Sequence, residues 1–134
     1  MELSDFSKVN ESELSDEQTK LDAVWDLWAG GNAVSPYEEL MTYQSEVNNG
    51  GHDQYFSNLE SSGDLEKEMK VLESVLSTTL NDNLQKAHKA YLMLCENEDD
   101  EESQLLLEQC DDVFFENQDD VNSVLIKYAA KIGL

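Results

Sequence analysis

The sequence predicts an all-α fold, a compact single-domain bundle of about six to eight helices. Three observations predict it. Apolar residues recur at spacings of 3 and 4 in one segment after another. No stretch sustains period-two alternation, and β-branched residues are scattered. One proline and six glycines in 134 residues leave room for long helices. The length suits one core, and 40% hydrophobic residues are enough to build it. The expected layout is a loose arm over residues 1–14 and one helical domain over 15–134.

Ser15-Asp16-Glu17-Gln18 has the form of a capping box, with a hydroxyl at the cap and an amide side chain three residues on. A helix should follow to about Ala29, with Leu21, Val24, Trp25 and Trp28 as its apolar stripe and Gly30-Gly31 as its stop. Ser35-Pro36-Tyr37-Glu38 marks a second start: serine at the cap, proline first, glutamate third. Leu40, Met41, Tyr43, Gln44 and Val47 carry that helix to a stop at Asn49-Gly50. A short helix over 52–58 and a loop over 60–64 follow.

Leu65, Met69, Leu72, Val75 and Leu76 mark the next helix, which "TTLNDN" (78–83) breaks. Leu84, Ala87, His88, Tyr91, Leu92 and Cys95 mark another, with Lys86 and Lys89 on its polar face. "ENEDDEES" (96–103) reads as a solvated loop or helix edge. Leu105, Leu106, Cys110, Val113 and Phe114 suggest one helix or two short ones. Asp119 or Asp120 caps the last helix, whose stripe is Val121, Val124, Leu125, Tyr128 and Ile132.

Charge narrows the function classes. Thirty acids face eight lysines, there is no arginine, and the formal net charge is −22. Such a surplus keeps a chain soluble but strains it by self-repulsion. It excludes direct binding to nucleic acid, whose phosphates need Lys and Arg, and to anionic membrane surfaces. Basic partners or cations are what it attracts. Residues 90–126 hold no Lys, Arg or His but twelve acids, so the strongest negative field belongs to the C-terminal third.

No secretory leader is read in MELSDFSKVNESELSDEQ, and no apolar run approaches membrane-spanning length. Cys95 and Cys110 make no disulfide framework and read as small apolar residues in a reducing compartment. The expected location is the cytoplasm.

Catalytic and metal chemistry find little support. "NEDDEES" has acids but neither the glycine nor the regular spacing of a calcium loop. His52, His88, Cys95 and Cys110 lack zinc-ligand spacing. With thirty acids, a suggestive carboxylate pair carries no specificity. Surrounding negative charge should raise a thiol's pKa and blunt it as a nucleophile. "NNGG" lacks the lysine of a phosphate loop. No enzyme activity, metal or cofactor is expected.

The stretch "NNGGHDQYF" (48–56) is the one local oddity. Gly50 or Gly51 can take the left-handed conformation that closes a helix, and Asn49 tolerates similar angles. Gln54 can bond carbonyls of the preceding helix end, and Tyr55 and Phe56 can bury their rings, with the Tyr hydroxyl satisfied at an edge. Glu46 can accept from His52 or from amides of the new helix. The stretch therefore reads as a bolt between two helices. The competing reading is a ligand or catalytic site at Glu46, His52, Gln54 and Tyr55.

Residues 46–58, Glu46-Val47-Asn48-Asn49-Gly50-Gly51-His52-Asp53-Gln54-Tyr55-Phe56-Ser57-Asn58, resemble the signature E-x-x-N-G-G-x-x-Q-Y-F-x-N. It belongs to a bacterial family of acidic helical proteins, classed largely as a domain of unknown function, whose named member is a DNA mimic protein. Glu46, Asn49, Gly50, Gly51, Gln54, Tyr55, Phe56 and Asn58 carry the match. A softer likeness extends over roughly 18–132, from the Trp25 helix to Tyr128. The chain departs from the family by Leu59-Glu60 inserted before Ser61-Ser62-Gly63. The resemblance implies an all-α fold and, for the named member, occupation of a DNA-binding protein in place of DNA.

Mimicry has a physical basis. Duplex DNA presents one charge per ~1.7 Å of axis. Carboxylates three or four residues apart on a helix advance ~4.5 to 6 Å. Glu98, Asp99 and Glu102 have such spacing if that segment is helical, as do Glu108, Asp111 and Asp112, and Glu116, Asp119 and Asp120; Asp100 joins them as a partner-binding carboxylate. The expected function is that of a non-enzymatic acidic binding protein. Its partner would be a basic DNA-binding protein, a regulator or nucleoid protein. A second reading is an immunity or antitoxin protein that blocks a nuclease toxin. Homodimerisation stays open.

Overall fold

The structure, a computed structural model, describes the backbone of residues 2–134 and the side chains of residues 16–134. Among the described residues it is all-α, with six helices and no strand. They are α1 (Glu2–Ala29), α2 (Tyr37–Ser62), α3 (Leu65–Glu73), α4 (Thr78–Glu96), α5 (Glu101–Glu116) and α6 (Gln118–Lys131). The backbone of residues 2–14 is helical and continuous with α1, so the loose arm expected over 1–14 and the helix start expected at Ser15 give way to one helix from Glu2. Met1 and the side chains of residues 2–15 lie outside the described residues.

The chain divides into two compact units. One comprises residues 1–33 and 122–134, hence α1 and most of α6. In it Val24, Leu125, Tyr128 and Ala129 are buried, and Trp25 meets Trp28 edge to face at 5.2 Å. Ile132 lies past the end of α6 and is exposed, so the stripe of that helix stops at Tyr128.

The other unit, Val34–Val121, carries α2 to α5 and the first residues of α6. Here α4 packs most extensively on α5, while α2 packs on α3, α4 and α5. The α4–α5 pair is an antiparallel hairpin. Asn83 near the start of α4 donates to the Cys110 carbonyl at 2.8 Å, and Met93 near its end meets Ser103 at the start of α5. Leu40, Met41, Tyr43, Val47, Tyr55, Phe56, Leu72, Leu80, Leu84 and Phe114 are fully buried.

Several expected boundaries move. The helix from Tyr37 does not stop at Asn49-Gly50; it bends there and runs on to Ser62, where Gly63 caps it with φ 82°. Ser35 is not the cap: its hydroxyl donates to the Glu39 carboxylate at 2.6 Å, and Pro36 occupies the cap position. "TTLNDN" begins a helix instead of breaking one, because the Ser77 hydroxyl accepts from the Leu80 amide and starts α4. Only residues 97–100 of the acidic run form a loop. Asn117, not an aspartate, separates α5 from α6, and Asp119 and Asp120 lie in the first turn of α6.

Two core faces are also rephased. The buried face of α5 is Ser103, Leu107, Cys110 and Phe114, with Leu105 turned outward. On α4, Leu80, Leu84, Ala87, Ala90 and Tyr91 are buried, whereas Leu92 and Cys95 are exposed.

Candidate functional site

The motif residues build the bend of α2. Gly51 has φ 77° and ψ −178°, a conformation that strains any residue with a Cβ, and an added Cβ would run into the Asp111 carboxylate. Gly51 is thus not the αL closure of a helix. It is the point where α2 changes direction without ending.

A bend interrupts the i→i−4 ladder and leaves amides without helical partners. The amide of His52 finds one on another helix, donating to Asp111 Oδ1 at 2.8 Å. The same oxygen lies 2.6 Å from His52 Nδ1. Asp111 therefore acts as a cap supplied by α5 for the segment that starts at His52, the end of a helix that favours negative charge. With Nδ1–H directed at the carboxylate, Nε2 faces the Tyr43 hydroxyl at 2.6 Å. Burial holds the Tyr43 hydroxyl well above the usual phenol range, with Tyr55, Cys110 and Asp111 adding to the effect. It keeps its proton and can donate. Around this line the Tyr43 ring meets Tyr55 at 4.9 Å and Phe114 at 5.1 Å, both edge to face.

A second bridge crosses the bend on the outside. Glu46 Oε2 accepts from Gln54 Nε2 at 3.0 Å and from Asn58 Nδ2 at 2.5 Å. Asn49 Nδ2 reaches Gln54 Oε1 at 3.4 Å. Glu46 thus bonds side chains beyond the bend, not His52 or backbone amides, and Gln54 bonds a carboxylate instead of a helix carbonyl. Gln44 and Asn48 both donate to Gln118 Oε1 at 3.0 Å.

His52 and Tyr55 are fully buried, and the Tyr55 hydroxyl has no hydrogen-bond partner among the described residues. Burial raises the Tyr55 hydroxyl pKa, with further pushes from Glu68 and Glu39. Four of the motif's side chains, Glu46, His52, Gln54 and Tyr55, were the candidates for a ligand site; none of them lines the groove described next.

That groove, of about 500 Å³, lies along α4 and α5. Its walls are Tyr91, Leu94, Cys95 and Leu107, and its polar lining is Asp53, Glu98, Gln104, Glu108 and Asp111. Tyr91 is tied to Glu60 through its hydroxyl at 2.5 Å, and burial followed by that bond pushes its pKa up to about 12. Burial, more than the neighbouring Asp111 charge, raises the Cys110 thiol. Desolvation lowers the pKa of His88 on α4.

The acidic residues of 96–120 separate into two kinds. Glu98, Asp99, Glu102, Glu108, Asp112, Glu116, Asp119 and Asp120 are exposed. Asp100 and Asp111 are half-buried and engaged, Asp100 accepting from the Ser103 hydroxyl at 2.7 Å and Asp111 holding His52. Asp111 belongs to the bend as much as to the surface. Glu108, Asp112 and Glu116 are four residues apart along α5, hence on one face and ~6 Å apart along its axis. No ion pair reaches any of the three among the described residues.

Among the described residues, no group of three or more His, Cys, Asp or Glu is placed to hold a metal ion, and no helix is long and apolar enough to cross a membrane. A family model described as DMP19-like protein matches residues 39–132. No curated protein and no solved structure matches. This corrects the resemblance drawn from the signature at 46–58. The grouping named there gives way to the DMP19-like description, and the match begins at residue 39, not near 18. The Trp25 helix stands outside it.

Proposed function

Since the chain belongs to the DMP19-like protein family, and since its α5 presents an unpaired acidic face, we propose that it is a non-enzymatic DNA mimic. It occupies the DNA-binding face of a basic regulator or nucleoid protein. It works in the cytoplasm, where the free thiols of Cys95 and Cys110 stay reduced.

The observation that carries this reading is the stripe Glu108, Asp112, Glu116. Like charges four residues apart destabilise a helix by a few tenths of a kcal/mol per pair. Glu116 also sits at the C-terminal end of α5, where the helix dipole disfavours an anion, and α5 contains no lysine to offset it. Helix stability therefore gives no reason for this stripe, whereas a cationic partner does. By contrast, Glu101, Glu102, Asp119 and Asp120 lie in first turns, where the dipole favours them.

Charge density decides how much surface is needed. One row at ~6 Å per charge is sparser than a single DNA strand at ~3.4 Å. A cationic groove must therefore read more than α5 alone. The α4–α5 turn adds exposed Glu96, Glu98, Asp99, Glu101 and Glu102, and the start of α6 adds Asp119 and Asp120. Association of this kind is fast and salt-sensitive.

The test is capture from cell lysate at low salt, with duplex DNA as competitor. The reading expects one DNA-binding protein, released by duplex DNA. Capture of nothing, or of many unrelated basic proteins that duplex DNA leaves in place, sinks it.

A further inference from the structure

We propose that the groove along α4 and α5 seats an arginine side chain of the partner, as the anchor of the interaction. This rests on the mimic reading and gives its partner a defined chemistry. Three features of the groove point to this occupant. First, four carboxylates line it, from Asp53, Glu98, Glu108 and Asp111, and among the described residues no cation does. Second, apart from Gln104 the rest of its wall is apolar, from Leu94, Cys95 and Leu107 with the buried Tyr91 ring. A guanidinium is planar and weakly hydrated, so it lies against apolar and aromatic walls at lower desolvation cost than an ammonium, and its forked donors match carboxylates. Third, the rim is braced. Gln104 Nε2 donates to the Glu98 carbonyl at 2.6 Å, and Asp111 is held by His52, so these parts of the lining are already placed before a partner arrives.

An exposed row of carboxylates alone would accept lysine and arginine alike. The groove would not.

The experiment titrates the full-length isotope-labelled chain with N-acetyl-arginine amide and, separately, N-acetyl-lysine amide, following the Leu94 and Leu107 methyl signals by NMR. The arginine probe should give saturable shifts at both methyls, and the lysine probe should bind at least tenfold more weakly. Glu98→Gln with Glu108→Gln should abolish the arginine response. Asp119→Asn with Asp120→Asn, which removes the same charge elsewhere, should leave it. All four residues are exposed, so both double variants keep the fold. Equal, non-saturating shifts from the two probes, or no shift at Leu94 and Leu107, overturns the proposal. In either case capture of a DNA-displaceable protein by the unaltered chain reports separately on the mimic reading.

Discussion

Asp111 on α5 grips His52 twice, taking its backbone amide at 2.8 Å and its ring Nδ1 at 2.6 Å with the same oxygen. The two residues are 59 apart in sequence. One acid of a strongly acidic helix is thereby committed to joining α5 to the bend of α2. Its neighbour Asp112 points to solvent. The surface and the fold are thus built from the same run of carboxylates, and a single register position separates the two roles.

Replacing Asp111 by Ala leaves two donors of His52 unpaired in a buried setting. The expected loss of stability is about 1–3 kcal/mol. Asp112→Ala should change stability by no more than about 0.5 kcal/mol. Urea unfolding of both variants beside the parent chain checks this. Equal effects at 111 and 112 would show that the His52 contact contributes nothing.

Gly51→Ala should cost more than Gly50→Ala. At Gly51 both the positive φ and the Asp111 carboxylate oppose a Cβ, so a loss of about 1 kcal/mol or more is expected. At Gly50, whose φ is negative, the obstacle is Gln54 alone: the amide end of its side chain can swing away at the loss of its bond to Glu46, and its Cβ at 2.9 Å requires only a small further shift. Thermal melts followed by circular dichroism give the order directly. A reversed order would mean that the bend is held by the outer Glu46 bridge and not by the inner one.

Glu68 supplies a pH dependence. Burial first, then the charges of Glu39, Glu38 and Asp64, push its pKa up to about 7 from 4.5, against a smaller pull from Lys67. The folded chain therefore holds a proton that the unfolded chain has released. Folded stability falls as pH rises from about 4.5 to about 7 and stays reduced above that. Glu68→Gln should flatten this part of the curve and raise the melting temperature at pH 8. General relief of acidic repulsion acts on parent and variant alike, so their difference isolates Glu68. Parallel curves would remove it as the cause.

The sequence made some of this legible and hid the rest for identifiable reasons. Helical periodicity is local, so the apolar faces of α1 and α2 could be read directly. Three consecutive leucines at 105–107 fit several faces, and only the spacing from Leu107 to Cys110 and Phe114 selects the buried one. Asn, Asp and Thr at 78–83 resemble a breaker by composition, yet a hydroxyl cap at Ser77 turns them into a first turn. The glycine pair announced a change of direction and a helix resuming at His52, but not that this segment runs on to Ser62. Glu46, Gln54 and Asn58 lie within 12 residues of one another, so their bridge was within reach of local reasoning. Asp111 was not, because nothing nearby distinguishes it from the other 29 acids. Its role follows only from the contact of α5 with the bend.

Neutralising the outer stripe tests the surface separately from the fold. Glu108→Gln, Asp112→Asn and Glu116→Gln together should leave the chain as stable as before or slightly more so, because each like-charge pair removed relieves repulsion. Circular dichroism melts provide the check. A clear loss of stability would mean that these side chains serve the helix after all.

The most direct measurement is the affinity of the captured DNA-binding protein for this chain across a salt series, with and without duplex DNA. The account predicts that the logarithm of the binding constant falls steeply and linearly with the logarithm of salt, that duplex DNA competes fully, and that the triple-neutralised stripe binds more weakly with a shallower slope. Binding that ignores salt, tolerates saturating duplex DNA and survives the triple substitution unchanged would contradict it.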